Sequence, residues 1–376
     1  MNILVLSCNT GEGHNSAGRA VYEQFKRRGI SCEFKDTLAI GSERASRYVN
    51  SLYVGITTKS PNTFRLLYKA GDAVSRLNGK SPIYAANKLN AKSLYEYLVR
   101  HKIDTVVTPH LFPAETLTGI RKRYGKFFSF AAVATDYTCI PFWGETEPDY
   151  FIVPHEDLIG EFTEKGVKKQ TILPYGIPVS EKYSRHILKA QARRELGLDE
   201  NKTALLLMSG SMGFGKPEAL VHALLHAFGK ETTVVALCGG NKKLLQTLRE
   251  EFSVCPNVKP LPFTDKVGLY MDACDLLFTK PGGLTSTEAA VKNIPIIHTA
   301  PIPGCETKNA QFFAQRGLSL YCPGQPQDTA RRAYGLLQDK DKMELMLRRQ
   351  REYIKPDAAE KICALLEKAA NQGYNG

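Results

Sequence analysis

Short apolar runs alternate with longer segments of mixed polarity along most of this chain. Apolar runs of roughly four to eight residues between turn residues are typical of buried strands, and longer segments with helical periodicity are typical of helices. By this criterion the first half has strands at 2–7, 104–108, 127–135 and 149–154. The pattern begins again in the second half, with strands at 204–208, 232–237, 258–261, 276–279, 295–298 and 318–321. This alternation predicts an α/β protein with parallel sheets.

The repetition of the pattern predicts two doubly wound, Rossmann-like domains that face a central cleft. We expect a first domain over 1–175, a hinge at 176–180 that contains Gly176 and Pro178, and a second domain over 181–355. Residues 356–376 are expected to form a final helix that packs back on the first domain. Each domain has a glycine-containing loop after its first strand, where α/β sheets bind their ligands.

The strongest candidate site is a strand, a Pro281-Gly-Gly283 turn and the start of a helix. The free backbone N–H groups and the positive end of the helix dipole make such a turn an anion site. Gly282 and Gly283 let a phosphate approach the backbone without meeting a Cβ atom. Glu288, one turn into the helix, is placed to accept hydrogen bonds from ribose hydroxyls. An ordinary strand-to-helix turn is the alternative.

A second glycine loop, Ser209–Gly215, nearly matches a P-loop and is followed by Lys216. Pro217 stands where a Ser or Thr would hold magnesium, so the sequence does not support an ATPase. A phosphate cradle with Ser211 as hydroxyl donor remains a reasonable interpretation.

The first domain offers two candidate catalytic residues. His14 closes the glycine loop after the first strand, and a histidine near its ordinary pKa can take a proton from a hydroxyl at neutral pH. Asp136 follows a long apolar strand and is placed to act as a base or to orient His14. The alternatives are a structural helix-start histidine and a loop-capping aspartate. Trp143 lies in the loop after Asp136 and is a candidate for lining a pocket.

The charge of the chain is concentrated in one segment. The 376 residues carry a formal net charge of +12, and segment 44–102 contains eleven Lys or Arg against two acids, interleaved with tyrosines and aliphatic residues. Basic helices of this kind suit an anionic membrane surface, so Arg65, Tyr68 and Lys69 are expected membrane or acceptor contacts. Solvated helices and a nucleic-acid surface are the alternatives. We expect no nucleic-acid partner, because no known nucleic-acid-binding motif is present.

Several sequence features bear on location. No apolar run reaches the roughly 20 residues that span a bilayer, and the amino terminus lacks the features of a signal peptide. The nine cysteines include no Cys-x-x-Cys pair, so we expect reduced thiols and no zinc site. These features predict a cytoplasmic protein, attached peripherally to the inner face of the cell membrane.

Six motifs, in order along nearly the whole chain, resemble one enzyme family. They are Thr10-Gly-Glu-Gly-His14, Thr135-Asp136, Gly176-Ile-Pro-Val179, Gly210-Ser-Met-Gly213, Lys280-Pro-Gly-Gly-Leu-Thr285 with Glu288, and Pro303-Gly-Cys-Glu-Thr-Lys-Asn309. The chain resembles the monogalactosyldiacylglycerol synthases and the processive diacylglycerol glucosyltransferases. These are related in turn to the N-acetylglucosaminyltransferase that builds the peptidoglycan lipid intermediate.

The resemblance implies a GT-B fold and an inverting hexosyltransferase that moves a sugar from a UDP-sugar to diacylglycerol or a related lipid. It implies no cofactor and no metal. His14, alone or with Asp136, would be the general base, and the acceptor side would include Gly13 and Trp143. The donor would be bound by the following residues: Gly210, Ser211, Met212, Gly213, Phe263, Thr264, Lys280, Gly282, Gly283, Leu284, Thr285, Glu288, Glu306 and Asn309. Of these, Glu288 would hold the ribose, the Phe263-Thr264 backbone the uracil, and Glu306 and Asn309 the sugar hydroxyls.

The chain departs from the family pattern at two positions. Ile140 replaces a histidine that often follows the Thr-Asp motif, and Cys305 replaces a glutamine before the sugar-binding glutamate. The second change leaves glucose, galactose and N-acetylglucosamine as possible donor sugars. Other functions that fit the fold are a non-hydrolysing UDP-N-acetylglucosamine epimerase and an N-acetylglucosamine transferase to a polyprenol-linked acceptor. A basic nucleic-acid-binding protein is the non-enzymatic alternative.

Overall fold

The computed structural model describes residues 1–8, 12–41, 82–208, 216–229 and 231–373. The chain forms two compact units. The first comprises Met1–Glu181, Pro303–Cys305 and Lys355–Gly376, and the second comprises Lys182–Ile302 and Glu306–Ile354. Among the residues that the structure describes, none of the helices combines the length and the apolar character needed to cross a membrane.

A parallel six-stranded sheet forms the centre of the first unit. Its strands are β1 (Ile3–Ser7), β2 (Cys32–Asp36), β3 (Thr105–Thr108), β4 (Ser129–Val133), β5 (Tyr150–Ile152) and β6 (Ile172–Leu173). They are arranged in the order β2-β1-β3-β4-β5-β6. The described helices of this unit are α1 (Glu12–Arg27), α2 (Thr37–Gly41), α3 (Pro82–Arg100), α4 (Leu111–Tyr124) and α5 (Ile159–Glu164).

The second unit has the same design. Its strands are β7 (Ala204–Met208), β8 (Thr233–Leu237), β9 (Val258–Leu261), β10 (Leu276–Thr279), β11 (Ile296–His298) and β12 (Leu320–Tyr321). They form a parallel sheet in the order β12-β11-β10-β7-β8-β9. Its described helices are α6 (Lys189–Leu196), α7 (Pro217–Phe228), α8 (Lys242–Glu251), α9 (Val267–Ala273), α10 (Gly283–Val291), α11 (Cys305–Gln315), α12 (Pro326–Gln338) and α13 (Lys340–Tyr353).

The strand order places a switch point in each sheet. In the first unit β1 pairs with both β2 and β3, and in the second β7 pairs with both β8 and β10. Chain connections leave such a strand pair in opposite directions, so a crevice opens beyond the carboxyl ends of the two strands. The segments that follow β1, β3, β7 and β10 therefore lie at these crevices and are the candidate site segments.

Helix α1 is fixed closely against the first sheet. Gly18 makes this possible, because a Cβ atom there would lie 3.0 Å from the Phe34 ring and 3.2 Å from Val5. The final helix, α14 (Ala358–Gly373), packs against Val21 and Phe25 of α1. It contributes Ile362, Cys363 and Leu366 to the same buried core. The first turn of α1 is thereby held at the end of β1.

The carboxyl-terminal region contains two helices, α13 and α14, separated by a break at Ile354–Asp357. Pro356 explains the break, because proline has no N–H to donate and disfavours helical geometry in the residue before it. Whether residues 176–180 act as a hinge is a question of motion and stays a prediction.

Candidate active site

One candidate site lies at the switch point of the first sheet. His14 is in the first turn of α1, directly after β1, and not in a preceding loop as the sequence indicated. Pro109 and His110 follow β3, and Thr135 and Asp136 follow β4. The side chain of His14 thus meets segments that are about a hundred residues away in the sequence.

Two hydrogen bonds fix the ring of His14. Its Nδ1 lies 2.9 Å from the Pro109 carbonyl oxygen and 2.8 Å from Thr135 Oγ1. A carbonyl oxygen can only accept, so Nδ1 carries the proton and donates it. In the neutral ring the lone pair is then on Nε2. This tautomer leaves Nε2 as the atom that can take a proton from a substrate hydroxyl.

The surroundings of His14 keep its ring neutral. Burial lowers the pKa of His14, while the charge of Asp136 and the Pro109 carbonyl oppose that shift without cancelling it. A neutral imidazole at neutral pH is the form that a general base requires. Asp136 is half-buried, and its carboxylate is the negative charge that acts on the ring.

His110 is a neighbour of His14 that the sequence interpretation missed. The two rings are 4.6 Å apart in an edge-on arrangement. His110 Nδ1 accepts a hydrogen bond from the Phe112 N–H at 3.1 Å and so caps α4. Burial, and then the charge that His14 would carry, hold the pKa of His110 well below its ordinary value. The sequence does place Pro109-His110 directly after a strand of the predicted sheet, and this position marks His110 as a candidate site residue.

A second candidate site lies at the switch point of the second sheet. Helix α10 begins at Gly283, immediately after β10 and the Lys280-Pro281-Gly282 turn. Gly282 is the N-cap residue and, as a glycine, has no side chain that could cap the helix. The Ser286 N–H donates to the Gly282 carbonyl at 3.0 Å, which makes it the first N–H bonded within the helix. The N–H groups of Gly283, Leu284 and Thr285 precede it and point out of the helix end.

Glu288 lies one turn further along α10 and is almost completely buried, with 8% of its surface exposed. Burial raises the pKa of Glu288 to about 8, although Lys182 and a hydrogen bond from Tyr183 both act to lower it. The Tyr183 hydroxyl donates this bond, since a phenol is protonated at neutral pH. Tyr183 is a second residue that the sequence interpretation missed, because it is more than a hundred positions from Glu288.

Helix α11 lies beside the Lys280–Gly282 turn. Glu306 Oε1 is 2.5 Å from Lys280 Nζ, and Glu306 Oε2 accepts the Ile302 N–H at 2.8 Å. Asn309 Nδ2 donates to the Pro281 carbonyl oxygen at 3.0 Å. The structure therefore brings Lys280, Gly282, Gly283, Glu306 and Asn309 together.

The remaining predicted residues lie in different environments. Trp143 is only 3% exposed, and its ring packs against Phe151 with centroids 5.1 Å apart, so it occupies a core position. Gly13 precedes His14 in the first turn of α1. Phe263 is exposed and Thr264 half-buried in the turn after β9, and the Thr264 hydroxyl accepts the Lys266 N–H at 3.1 Å.

Some predicted residues lie outside the described part of the chain, namely Arg65, Tyr68, Lys69, Gly210, Ser211, Met212 and Gly213. Among the described residues, no three His, Cys, Asp or Glu side chains come together as a metal-ion site would require. The roles of all these residues, and metal independence, stay predictions.

Comparison with known proteins gives the two units separate family matches. Residues 14–179 match the family model of monogalactosyldiacylglycerol (MGDG) synthase, and residues 204–360 match the glycosyltransferase family 28 C-terminal domain. The chain is similar over 98% of its length to the crystal structure of MurG from Acinetobacter baumannii, with 99% of that chain covered, a TM-score of 0.63 and 15% identity.

The chain is also similar to curated enzymes. It is 29% identical over 351 residues to the processive diacylglycerol beta-glucosyltransferase of Bacillus pumilus, which covers 92% of this chain and 88% of that protein. It is 27% identical over 394 residues to the chloroplastic monogalactosyldiacylglycerol synthase of Spinacia oleracea, with 98% and 73% covered.

The two parallel-sheet units and the family 28 domain define this protein as a glycosyltransferase with the GT-B fold. Over its first unit it resembles the monogalactosyldiacylglycerol synthases, and over most of its length it is similar to the processive diacylglycerol glucosyltransferases.

Proposed function

We propose that this enzyme transfers a hexose from a UDP-sugar to diacylglycerol or a closely related membrane lipid, with inversion at the anomeric carbon. The names of its relatives support this choice of acceptor. The single observation that carries the proposed chemistry is the 2.9 Å contact between His14 Nδ1 and the Pro109 carbonyl oxygen, which assigns the proton to Nδ1 and leaves Nε2 as a base.

In the proposed reaction, His14 Nε2 accepts the proton of the lipid hydroxyl as the hydroxyl oxygen attacks the anomeric carbon. The bond from that carbon to the UDP oxygen breaks, and UDP leaves with the electron pair. A single displacement of this kind inverts the anomeric centre. Asp136 then stabilises the imidazolium that forms, since opposite charges attract.

The negative charge that grows on UDP needs a fixed counter-charge. The N–H groups of Gly283, Leu284 and Thr285 and the dipole of α10 supply it in the proposal. Lys280, in the same turn, adds an ammonium group that is paired with the Glu306 carboxylate. Glu288 would accept the ribose hydroxyls, and Glu306 would contact the sugar. We propose that no divalent cation or cofactor is required.

The proposal places the enzyme on the surface of a membrane, on its cytoplasmic side. The concentration of Lys and Arg in segment 44–102 supports this, because basic segments bind anionic lipid surfaces. Most of that segment lies outside the described residues. Its contact with lipid, and not with nucleic acid, is therefore proposed from sequence alone.

A product assay tests the proposal. The protein is incubated with UDP-glucose, UDP-galactose or UDP-N-acetylglucosamine and with diacylglycerol or a polyprenol-linked acceptor, in the presence and absence of EDTA. We expect a hexosyl-diacylglycerol whose formation survives EDTA and is lost in His14→Ala. An epimerised nucleotide sugar without acceptor, or a product on the polyprenol acceptor alone, would contradict the proposal.

A further inference from the structure

The peptide unit between Pro281 and Gly282 is held at both of its ends. Its N–H, on Gly282, donates to the Lys280 carbonyl at 2.9 Å. Its carbonyl, on Pro281, accepts from Asn309 Nδ2 at 3.0 Å. A trans peptide is planar, so two hydrogen bonds on opposite edges fix the rotation of the whole plane.

The orientation of this plane decides where the anion site points. Gly282 is the N-cap of α10, with φ −69° and ψ 136°, and the free N–H groups of the helix follow it directly. Glycine has broad conformational freedom and no Cβ atom to restrict it. The turn therefore needs hydrogen bonds from outside to keep one geometry.

Helix α11 provides that support from two consecutive positions on one face. Glu306 and Asn309 are three residues apart, a spacing that puts their side chains next to each other. Glu306 binds Lys280 through its carboxylate, and Asn309 binds the carbonyl of the next residue, Pro281. Asn309 is 0% exposed, whereas a group that binds a sugar hydroxyl must be reachable from the substrate.

We propose that Asn309 is a positioning residue for the diphosphate turn, and not the sugar contact that the family resemblance implies. It holds the Pro281–Gly282 peptide so that the first N–H groups of α10 point at the diphosphate. This inference rests on the proposed function, because it takes that turn as the UDP site. It predicts that Asn309 matters equally for UDP with and without its sugar.

The test compares the affinities of UDP and of the best-bound UDP-sugar for wild type and three variants by calorimetric titration. In Asn309→Asp the donating amide becomes a carboxylate that faces a carbonyl oxygen, and in Asn309→Ala the amide is removed. We expect both variants to lose about tenfold or more in affinity, by the same factor for UDP and for UDP-sugar. Gln311→Ala, which removes an exposed amide from the same helix, is the matched control and should bind like wild type.

Each outcome is decisive. Loss of UDP-sugar affinity with unchanged UDP affinity would make Asn309 a sugar contact and overturn the inference, as would unchanged affinity for both. If wild type and the Gln311→Ala control both bind no UDP, it is the proposed function that fails. Should both variants fail to fold by circular dichroism, a structure of wild type with UDP-sugar decides. The inference requires that Asn309 Nδ2 still donates its hydrogen bond to the Pro281 carbonyl oxygen in that structure. A hydrogen bond from Asn309 to a sugar hydroxyl instead would contradict the inference.

Discussion

The ring of His14 is surrounded by groups that follow two strands, β3 and β4. The Pro109 carbonyl and Thr135 hydroxyl hold Nδ1, and Asp136 supplies a negative charge that favours the imidazolium. Burial works in the opposite direction and prevails, so the ring is neutral, as the proposed role of His14 as a base requires. These opposing effects determine how activity should depend on pH.

The acid limb of the pH–rate profile should lie below the ordinary histidine pKa of about 6.5, because the pKa of His14 is lowered. Asp136→Asn removes a charge that raises this pKa, so the acid limb should move to still lower pH while the maximum rate falls.

His14→Ala should lower kcat by about 10²-fold or more and leave UDP affinity intact. The measurement is kcat/KM as a function of pH for the three proteins. An acid limb that Asp136→Asn moves upward, or an active His14→Ala, would exclude this role for His14.

Glu288 should release a proton when UDP binds. Its pKa of about 8 means that the free enzyme holds this carboxyl largely protonated at pH 7. Ribose hydroxyls that donate to the carboxylate would stabilise its ionised form and lower that pKa. Calorimetry in buffers of different ionisation enthalpy should detect release of up to about one proton, and UDP affinity should rise with pH toward about 8.

Two variants check this assignment. Glu288→Gln should abolish the proton release. Tyr183→Phe removes a hydrogen bond that lowers the pKa of Glu288, so it should weaken UDP binding at pH 7 without abolishing the release. Identical heats in all buffers for wild type would show that the ribose does not depend on this carboxylate.

At the scale of elements, helix α10 is tied to the strands beside it by a buried histidine. His298, at the end of β11, is 0% exposed. Its Nε2 lies 2.9 Å from Ser286 Oγ on α10, and its Nδ1 lies 3.0 Å from Ser319 Oγ, just before β12. Burial lowers the pKa of His298 to about 3, so the ring is neutral in the folded protein. This bridge couples the position of α10 to the protonation of the histidine.

His298 should make the protein less stable in acid. The folded-state pKa of about 3 is below the ordinary value of 6.5, so below pH 6.5 the unfolded chain binds a proton that the folded chain excludes. This contribution to the free energy of unfolding should fall by up to about 1.4 kcal/mol per pH unit as the pH drops from 6.5 towards 3. Denaturant titrations at several pH values should show a shallower decline in His298→Gln. Exposed His226→Gln is the control and should keep the wild-type slope; equal slopes for all three proteins would contradict the assignment.

The elements of the fold were largely predictable from sequence, and their contacts were not. The strand-turn-helix at 276–291 follows from an apolar run, two glycines and an Ala-rich segment, and the structure has it as β10 and α10. The pairs His14–His110 and Tyr183–Glu288 join residues about a hundred positions apart, and no local pattern contains that information. The start of α1 at Glu12 was also missed, because two glycines near the residue conceal a helix start.

At the scale of the molecule, the same sheet design is used twice for two kinds of chemistry. The switch point of the first unit presents His14, the proposed base, and that of the second presents the start of α10, with Gly282 as its N-cap. The sequence also carries a net charge of +12, most of it in segment 44–102. A positive amino-terminal segment suits an enzyme whose acceptor is held in an anionic membrane.

Removing charge from that segment should weaken membrane binding. The double variant Arg65→Gln, Lys69→Gln should have a roughly 30-fold lower affinity for vesicles of anionic lipid, measured by flotation. Each cation contributes about 1 kcal/mol to binding at such a surface. The loss should shrink as salt is added, because salt screens surface charge. Lys342→Gln, an exposed lysine of the second unit, is the control. Retention on RNA at physiological salt, without binding to vesicles, would support the nucleic-acid alternative instead.

The account depends most on backbone amides and a helix end that bind the diphosphate of UDP. A crystal structure of the protein soaked with UDP in the presence of EDTA tests this directly. We predict that the diphosphate lies against the N–H groups of Gly283, Leu284 and Thr285, beside Lys280 and without a cation. A diphosphate bound elsewhere, or bound only when a divalent cation is supplied, would contradict the account.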